Sequence, residues 1–299
     1  MKMDTKRLLR TLRSASMLLL CAHPVLAQED IFDLLDTEPT PSEQLVTATF
    51  KGTKIINQQS TKLTAKGEFQ YIISHRFGAL SDDYLYQFFG LDNAQIRMQM
   101  DYGLTDRINL GAGRSSDLKV FDTFAKVALL QQRRGPSPIP VSLTWHSSVN
   151  YRNQRYTDGI EHEWTDRLSY VHQLLAARKM TSQWSLQMSA GVSHFNLVPG
   201  PEDANTMLQI GGATRYKITN RLALTGEYMW SPKNEWSDGS KFYRPLSLGM
   251  DAETGGHIFQ FHIGNVRSLS DPYWMSQNPY RWNIGQLFFG FNISRVFSP

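Results

Sequence analysis

A single cysteine, Cys21, occurs in 299 residues, and it falls among the first 27. Once those residues are removed as a leader, as expected below, no thiol remains for a disulfide, a metal thiolate or a nucleophile. Long apolar runs are missing as well. After residue 27 nothing approaches the roughly 18 consecutive apolar residues that suggest a membrane-crossing helix. A closed barrel stays open as a possibility, because its strands satisfy their backbone groups within the sheet. The third absence is an excess of one charge. Lys+Arg number 31 and Asp+Glu 27, but Lys2, Lys6, Arg7, Arg10, Arg13 and Asp4 all precede residue 28. Without them 26 of each remain and the formal charge is zero, which gives no support for nucleic-acid binding.

The chain begins like an export signal. A basic start is followed by the apolar run Met17-Leu18-Leu19-Leu20, and Val25-Leu26-Ala27 offers small or medium residues at cleavage spacing. Residues 1–27 read as a signal peptide cut between Ala27 and Gln28. Leu20, where lipoprotein processing wants a small residue, argues against a lipid anchor on Cys21. Residues 28–44 carry Glu29, Asp30, Asp33, Asp36, Glu38 and Glu43, no basic residue, and Pro39 and Pro41. They read as a flexible acidic periplasmic linker, with Ile31, Phe32, Leu34 and Leu35 as the residues that would meet a periplasmic protein partner.

From residue 66 to 299 the pattern has period two. Leu287, Phe289, Phe291 and Ile293 oppose Gln286, Gly290, Asn292 and Ser294; Ile96, Met98, Met100 and Tyr102 oppose Gln95, Arg97, Gln99 and Asp101. One face therefore meets an apolar medium and the other a polar one. Soluble sandwiches also alternate. Here, however, the strands run to about 10–14 residues, longer than in ordinary sheets, and short turns alternate with longer loops. The turns at 103–106, 180–183, 218–220, 253–256 and a Pro-rich 131–138 face one way. The loops at 78–94, 153–164, 198–204, 231–243 and 267–283, with a short member at 115–119, face the other. Such asymmetry marks a transmembrane, up-and-down, antiparallel all-β barrel with its short turns in the periplasm. Counting through it gives about 12 strands. Trp184, Tyr216 and Phe297 fall near the turn ends and Trp164 and Trp230 near the loop ends, as two interfacial girdles would. Residues 45–65 also contain a strand-like stretch. Admitting it would give thirteen, so the even-number rule favours a place outside the wall, as a plug or in the periplasm, over a wall strand offset by a different count elsewhere.

The inward positions carry charges of both signs: Glu68, Arg76, Arg97, Asp101, Asp122, Lys126, Arg167, Arg215, Glu227, Asp251 and Glu253. These would form a network that fills a narrow interior, or line an aqueous path. The one pointed constellation is His146, Ser148 and Asn150, alternate residues on one strand face. Those residue types are similar to the nucleophilic set of outer-membrane phospholipases, yet alternation turns them away from lipid. The other histidines lack metal-binding spacing, and Gly111-Ala112-Gly113 lies within a strand, where small residues relieve crowding instead of cradling phosphate.

Further motifs point to a family. Phe50-Lys51-Gly52-Thr53-Lys54-Ile55-Ile56-Asn57, Ile73-Ser74-His75-Arg76-Phe77-Gly78, Phe89-Gly90-Leu91-Asp92 and Tyr102-Gly103-Leu104-Thr105-Asp106-Arg107 stand in the first half. Leu168-Ser169-Tyr170-Val171-His172-Gln173, Asn196-Leu197-Val198-Pro199, Asp251-Ala252-Glu253-Thr254-Gly255-Gly256-His257 and Gly290-Phe291-Asn292-Ile293-Ser294-Arg295 stand in the second. Over residues 45 to 297 the chain resembles a family of Gram-negative outer-membrane β-barrels whose domain has no assigned function. The resemblance implies fold and compartment but no catalytic or binding residue. The expected role is non-enzymatic, a narrow channel for a small solute or a scaffold for a periplasmic partner. The alternative is an outer-membrane lipid hydrolase. Outer-membrane lipid is the expected partner; no cofactor, metal or nucleic acid is expected.

Overall fold

The computed structural model describes residues 43–80, 83, 85–232, 235–283 and 285–298. The expected leader at 1–27 and the linker up to residue 42 lie outside the described residues.

Alternation produces the wall. Twelve antiparallel strands close into a barrel in which each pairs with its sequence neighbours and the last returns to the first. They are β1 (Phe69–Ala79), β2 (Gln95–Thr105), β3 (Ile108–Ser115), β4 (Val120–Leu130), β5 (Ser142–Arg152), β6 (Leu168–Lys179), β7 (Trp184–Phe195), β8 (Thr206–Lys217), β9 (Leu222–Trp230), β10 (Leu246–Thr254), β11 (His257–Gly264) and β12 (Phe288–Phe297). Their lengths run from 8 to 12 residues, somewhat below the 10–14 expected. The alternating pattern continues past the last cross-strand partner, so periodicity overstates the paired length. Between β10 and β11 the turn is Gly255-Gly256, both at positive φ (51° and 87°), the backbone that a two-residue hairpin requires and that glycine adopts without strain.

The outward face is apolar. Met98, Met100, Leu110, Phe121, Met188, Leu208, Leu224 and Leu248 are each more than 40% exposed, which in water would be a prohibitive band and in a bilayer is the contact with acyl chains. Several polar groups on this face find cross-strand partners. His172 Nδ1 lies 2.9 Å from Ser147 Oγ, and His194 Nδ1 lies 2.8 Å from Thr206 Oγ1. Trp184 donates from Nε1 to Thr214 Oγ1 at 2.9 Å.

The middle of the interior is filled by the chain itself. Residues 46–64 form no wall strand. Val46 N–H donates to the Gln132 carbonyl at 2.8 Å near the turn end of the barrel, and the chain then makes a tight hairpin. Ile55 N–H donates to Gln58 O and Ser60 N–H to Thr53 O, both at 2.9 Å. Phe50, Thr53 and Ile55 to Ser60 are each 3% exposed or less. From the other end the connection between β11 and β12 folds inward around a short helix, α1 (Asp271–Ser276). Its Val266, Trp274 and Met275 pack on Val171 of β6 and Met229 of β9. Phe50 and Ile55 pack on Ala177 and Ala213. The inward face of β6, β8 and β9 is therefore partly apolar, because these two insertions cover it. An arginine at position 188, mid-strand on the lipid side of β7, is expected to destabilise the barrel by about 2–4 kcal/mol. Reversible urea unfolding of Met188→Arg in lipid vesicles measures it.

Candidate functional site

The hairpin tip sits in a cage of wall side chains. On β9, Glu227 accepts from Asn57 N–H (3.0 Å), Asn57 Nδ2 (2.7 Å) and Gln58 N–H (2.9 Å). Arg76 of β1 donates from Nη2 to Asn57 Oδ1 at 2.7 Å and from Nη1 to Asn292 Oδ1 at 3.2 Å. Asn292 Nδ2 donates to the Ile56 carbonyl at 2.9 Å, and Gln260 Nε2 to the Ile55 carbonyl at 2.7 Å. A tight turn leaves its backbone N–H and C=O groups without partners, and here β1, β9, β11 and β12 supply them. Space is supplied too. A Cβ on Gly249 would lie 3.1 Å from Ile56 Cδ1 and closer still to Thr225 and the Phe261 carbonyl.

Below the tip, Lys126 Nζ of β4 donates to the carbonyls of Thr53 (2.7 Å) and Ser60 (3.2 Å), bridging both arms of the hairpin. Thr53 Oγ1 donates to Asp101 Oδ2 of β2 at 2.9 Å. Arg97 pairs bidentately with Asp122 beside it, its guanidinium lying in the space that Gly113 leaves open. Near the turn end, Arg215 reaches Asp251 (3.4 Å) and Glu253 (3.5 Å), and Lys51 of the hairpin arm reaches Glu253 at 2.7 Å.

Of the eleven charged positions named from the sequence, Arg76, Arg97, Asp101, Asp122, Lys126, Arg215, Glu227 and Asp251 are at most 7% exposed, and Glu253 is a partly buried member of the same network. The other two sit at the rims. Glu68 precedes β1 and accepts from Ser298 Oγ at 2.7 Å. Arg167 belongs to a turn before β6, donates to the Arg152 and Gln154 carbonyls and lies over the Tyr156 ring. At a rim a side chain can turn to partners at the barrel end, and there parity no longer assigns it to the lumen.

The constellation His146, Ser148 and Asn150 does face inward, with all three at most 3% exposed. It does not form a nucleophile and its base. Neither His146 nitrogen hydrogen-bonds to Ser148. The Ser148 hydroxyl instead accepts from Asn150 Nδ2 at 3.0 Å, and His146 Nε2 faces Asp271 Oδ2 at 3.3 Å. Asp271 is the residue that sequence reading missed. It joins the two insertions, accepting from Gln59 Nε2 at 3.1 Å and standing 3.7 Å from Lys54 Nζ. Burial alone would raise its carboxyl, but Lys54, then His146 and Arg97, override that and hold it well below the usual carboxylate range. Cavities of about 730 and 500 Å³ open at the turn end and the loop end respectively, on either side of this filled middle.

Two outcomes follow. Replacing Glu227 with alanine leaves the tip's N–H groups buried without an acceptor, a loss of about 3–5 kcal/mol on the scale of broken buried charged contacts. Hydrogen exchange at residues 55–60 is expected to accelerate accordingly while the wall amides stay protected. The lock at Asp271 is a depressed-carboxylate case: its contribution is present above the ordinary value of about 3.9 and is lost as pH falls through the lower folded value. Loosening at Lys54 and Gln59, which Asp271 holds, is therefore expected to gain a component that appears only in strong acid, and Asp271→Asn is expected to remove that component from the exchange profile.

The fold is similar to solved outer-membrane proteins at low identity. These include the NanC porin (8% identity, 77% of this chain and 99% of that one, TM-score 0.48). An outer membrane channel from Pseudomonas putida F1 aligns at 12% identity over 79% of this chain and 97% of that one, TM-score 0.48. The KdgM porin in complex with disordered oligogalacturonate aligns at 8% over 77% and 99%, TM-score 0.46. No curated protein sequence matches. The description "Membrane bound beta barrel domain" (DUF5777) matches residues 50–297, which cover the hairpin and all twelve strands, and the chain belongs to that family.

Proposed function

We propose that this protein is a non-enzymatic channel of the Gram-negative outer membrane, exported by residues 1–27 and held shut by its own hairpin. The observation that carries this reading is the cage around Asn57. A barrel that served only as a scaffold needs its interior filled, and apolar packing does that at lower desolvation cost than buried ions. Here the filler is a separate segment, held at its tip and arms by hydrogen bonds and ion pairs to the wall, contacts that water can replace one by one if the segment moves. With the hairpin withdrawn, Arg76, Arg97, Asp101, Lys126, Glu227 and Asp251 would line a mixed-charge aqueous path, suited to a small polar solute. The acidic residues 28–44 lead directly into the hairpin, so a periplasmic protein that grips them is placed to pull it.

The lipid-hydrolase alternative has no such support, since His146 serves Asp271 and the trio faces away from the bilayer. Conductance decides the channel reading. In planar bilayers the intact mature chain is expected to be nearly silent, and a variant lacking residues 49–62 is expected to show discrete openings. Silence of that variant, with the heat-sensitive gel mobility of a folded barrel retained, would leave the protein without a channel function.

A further inference from the structure

The cavity of about 500 Å³ at the loop end lies between the β9–β10 connection and the inward-folding β11–β12 connection. Its walls are preformed. Asn265 Nδ2 donates to the carbonyls of Arg244 (3.0 Å) and Tyr280 (2.7 Å), and Asn278 Nδ2 donates to the carbonyls of Tyr243 (3.2 Å) and Tyr280 (3.1 Å). Tyr243 N–H in turn donates to the Asn278 carbonyl at 2.7 Å. Through these described residues the two connections are stapled to one another, which lowers the ordering cost for a ligand entering between them.

Charge in this cavity is one-sided. Lys241, Arg244 and Arg281 line it against a single acid, Glu235, and none of the three cations is paired with a carboxylate among the described residues. That contrasts with the middle of the barrel, where the buried cations bond acids or carbonyls of the hairpin. Arg281 is also oriented. Its guanidinium carbon lies 4.7 Å from the Tyr243 ring centroid, and Nη2 donates to Tyr243 Oη at 2.7 Å. Its remaining guanidinium N–H groups have no protein partner among the described residues. Beside it Trp282, 41% exposed, offers a flat apolar surface. A planar guanidinium fork matches a carboxylate better than a point charge does, and an indole face matches a ring.

We propose that this cavity binds a small carboxylate carrying a ring, either an aromatic acid or an acidic sugar, at the outer mouth of the barrel. The proposal deepens the channel reading, since it names the solute class that would wait above the hairpin. Its volume, within the usual range for small-molecule sites, holds one such molecule.

Titration of the intact mature protein in detergent micelles tests this without any need for conductance, so its outcome is separate from that of the channel experiment. Benzoate and glucuronate are the ring probes and inorganic phosphate the charge-only probe, followed by calorimetry. One ring probe is expected to bind, and which one identifies the source. Arg281→Gln and Arg244→Gln are each expected to weaken it about tenfold or more, and Trp282→Ala to weaken it while leaving phosphate unchanged. These side chains are exposed, and heat-sensitive gel mobility shows that each variant remains a folded barrel. Absence of binding by both ring probes, affinities unmoved by the arginine variants, or phosphate binding as tightly as the ring probe would each overturn the proposal.

Discussion

A backbone turn buried inside a barrel must find hydrogen-bond partners there, and the arrangement of this lumen follows from that requirement. The hairpin at 53–60 bonds to itself only across its arms. Its tip groups are left to the wall, and the wall answers with a carboxylate, a guanidinium and two amides from β9, β1, β12 and β11. Each of those wall groups would itself be costly to bury alone. Held together they satisfy one another; apart, each needs water in the place of its partner. The apolar contacts of Phe50 and Ile55 add packing, but they would tolerate several registers. The hydrogen bonds select one.

The second insertion extends this logic. Asp271 enters from the loop end on a helix too short to stand by itself, and it is fixed because Lys54, Gln59 and His146 converge on it. Hairpin and helix thereby meet in mid-barrel through a single carboxylate. This is why His146, which by composition suggests chemistry, is spent on structure.

The wall was legible from residues alone because lipid outside imposes a strict period of two, and a closed wall demands an even count. Met98 against Arg97 and Phe289 against Gly290 already state which side is which. Residues 46–64 form no wall strand, and parity, which asks only for an even count, says nothing about what such a segment touches. Asn57 and Lys54 have no periodic signature, since a hairpin caged by distant strands is specified by partners up to some 236 residues away in sequence. Asp271 was hidden for a related reason. Its connection reads as an ordinary long loop, and only Asp271-Pro272 ahead of apolar Trp274 and Met275 hints at a helix start that buries itself. At Glu68 and Arg167, on the rims, alternation alone does not assign the lumen, because a side chain there turns to partners at the barrel end.

The seam of the barrel adds a consequence for how it is assembled. The ring is completed when β12 docks on β1, and those two strands carry Asn292 and Arg76, which bond to each other and to the hairpin tip. Final docking and the clasping of the tip thus occur at one place. Closure of the wall and the seating of a stretch that contributes no strand to it are thus tied through the same two side chains.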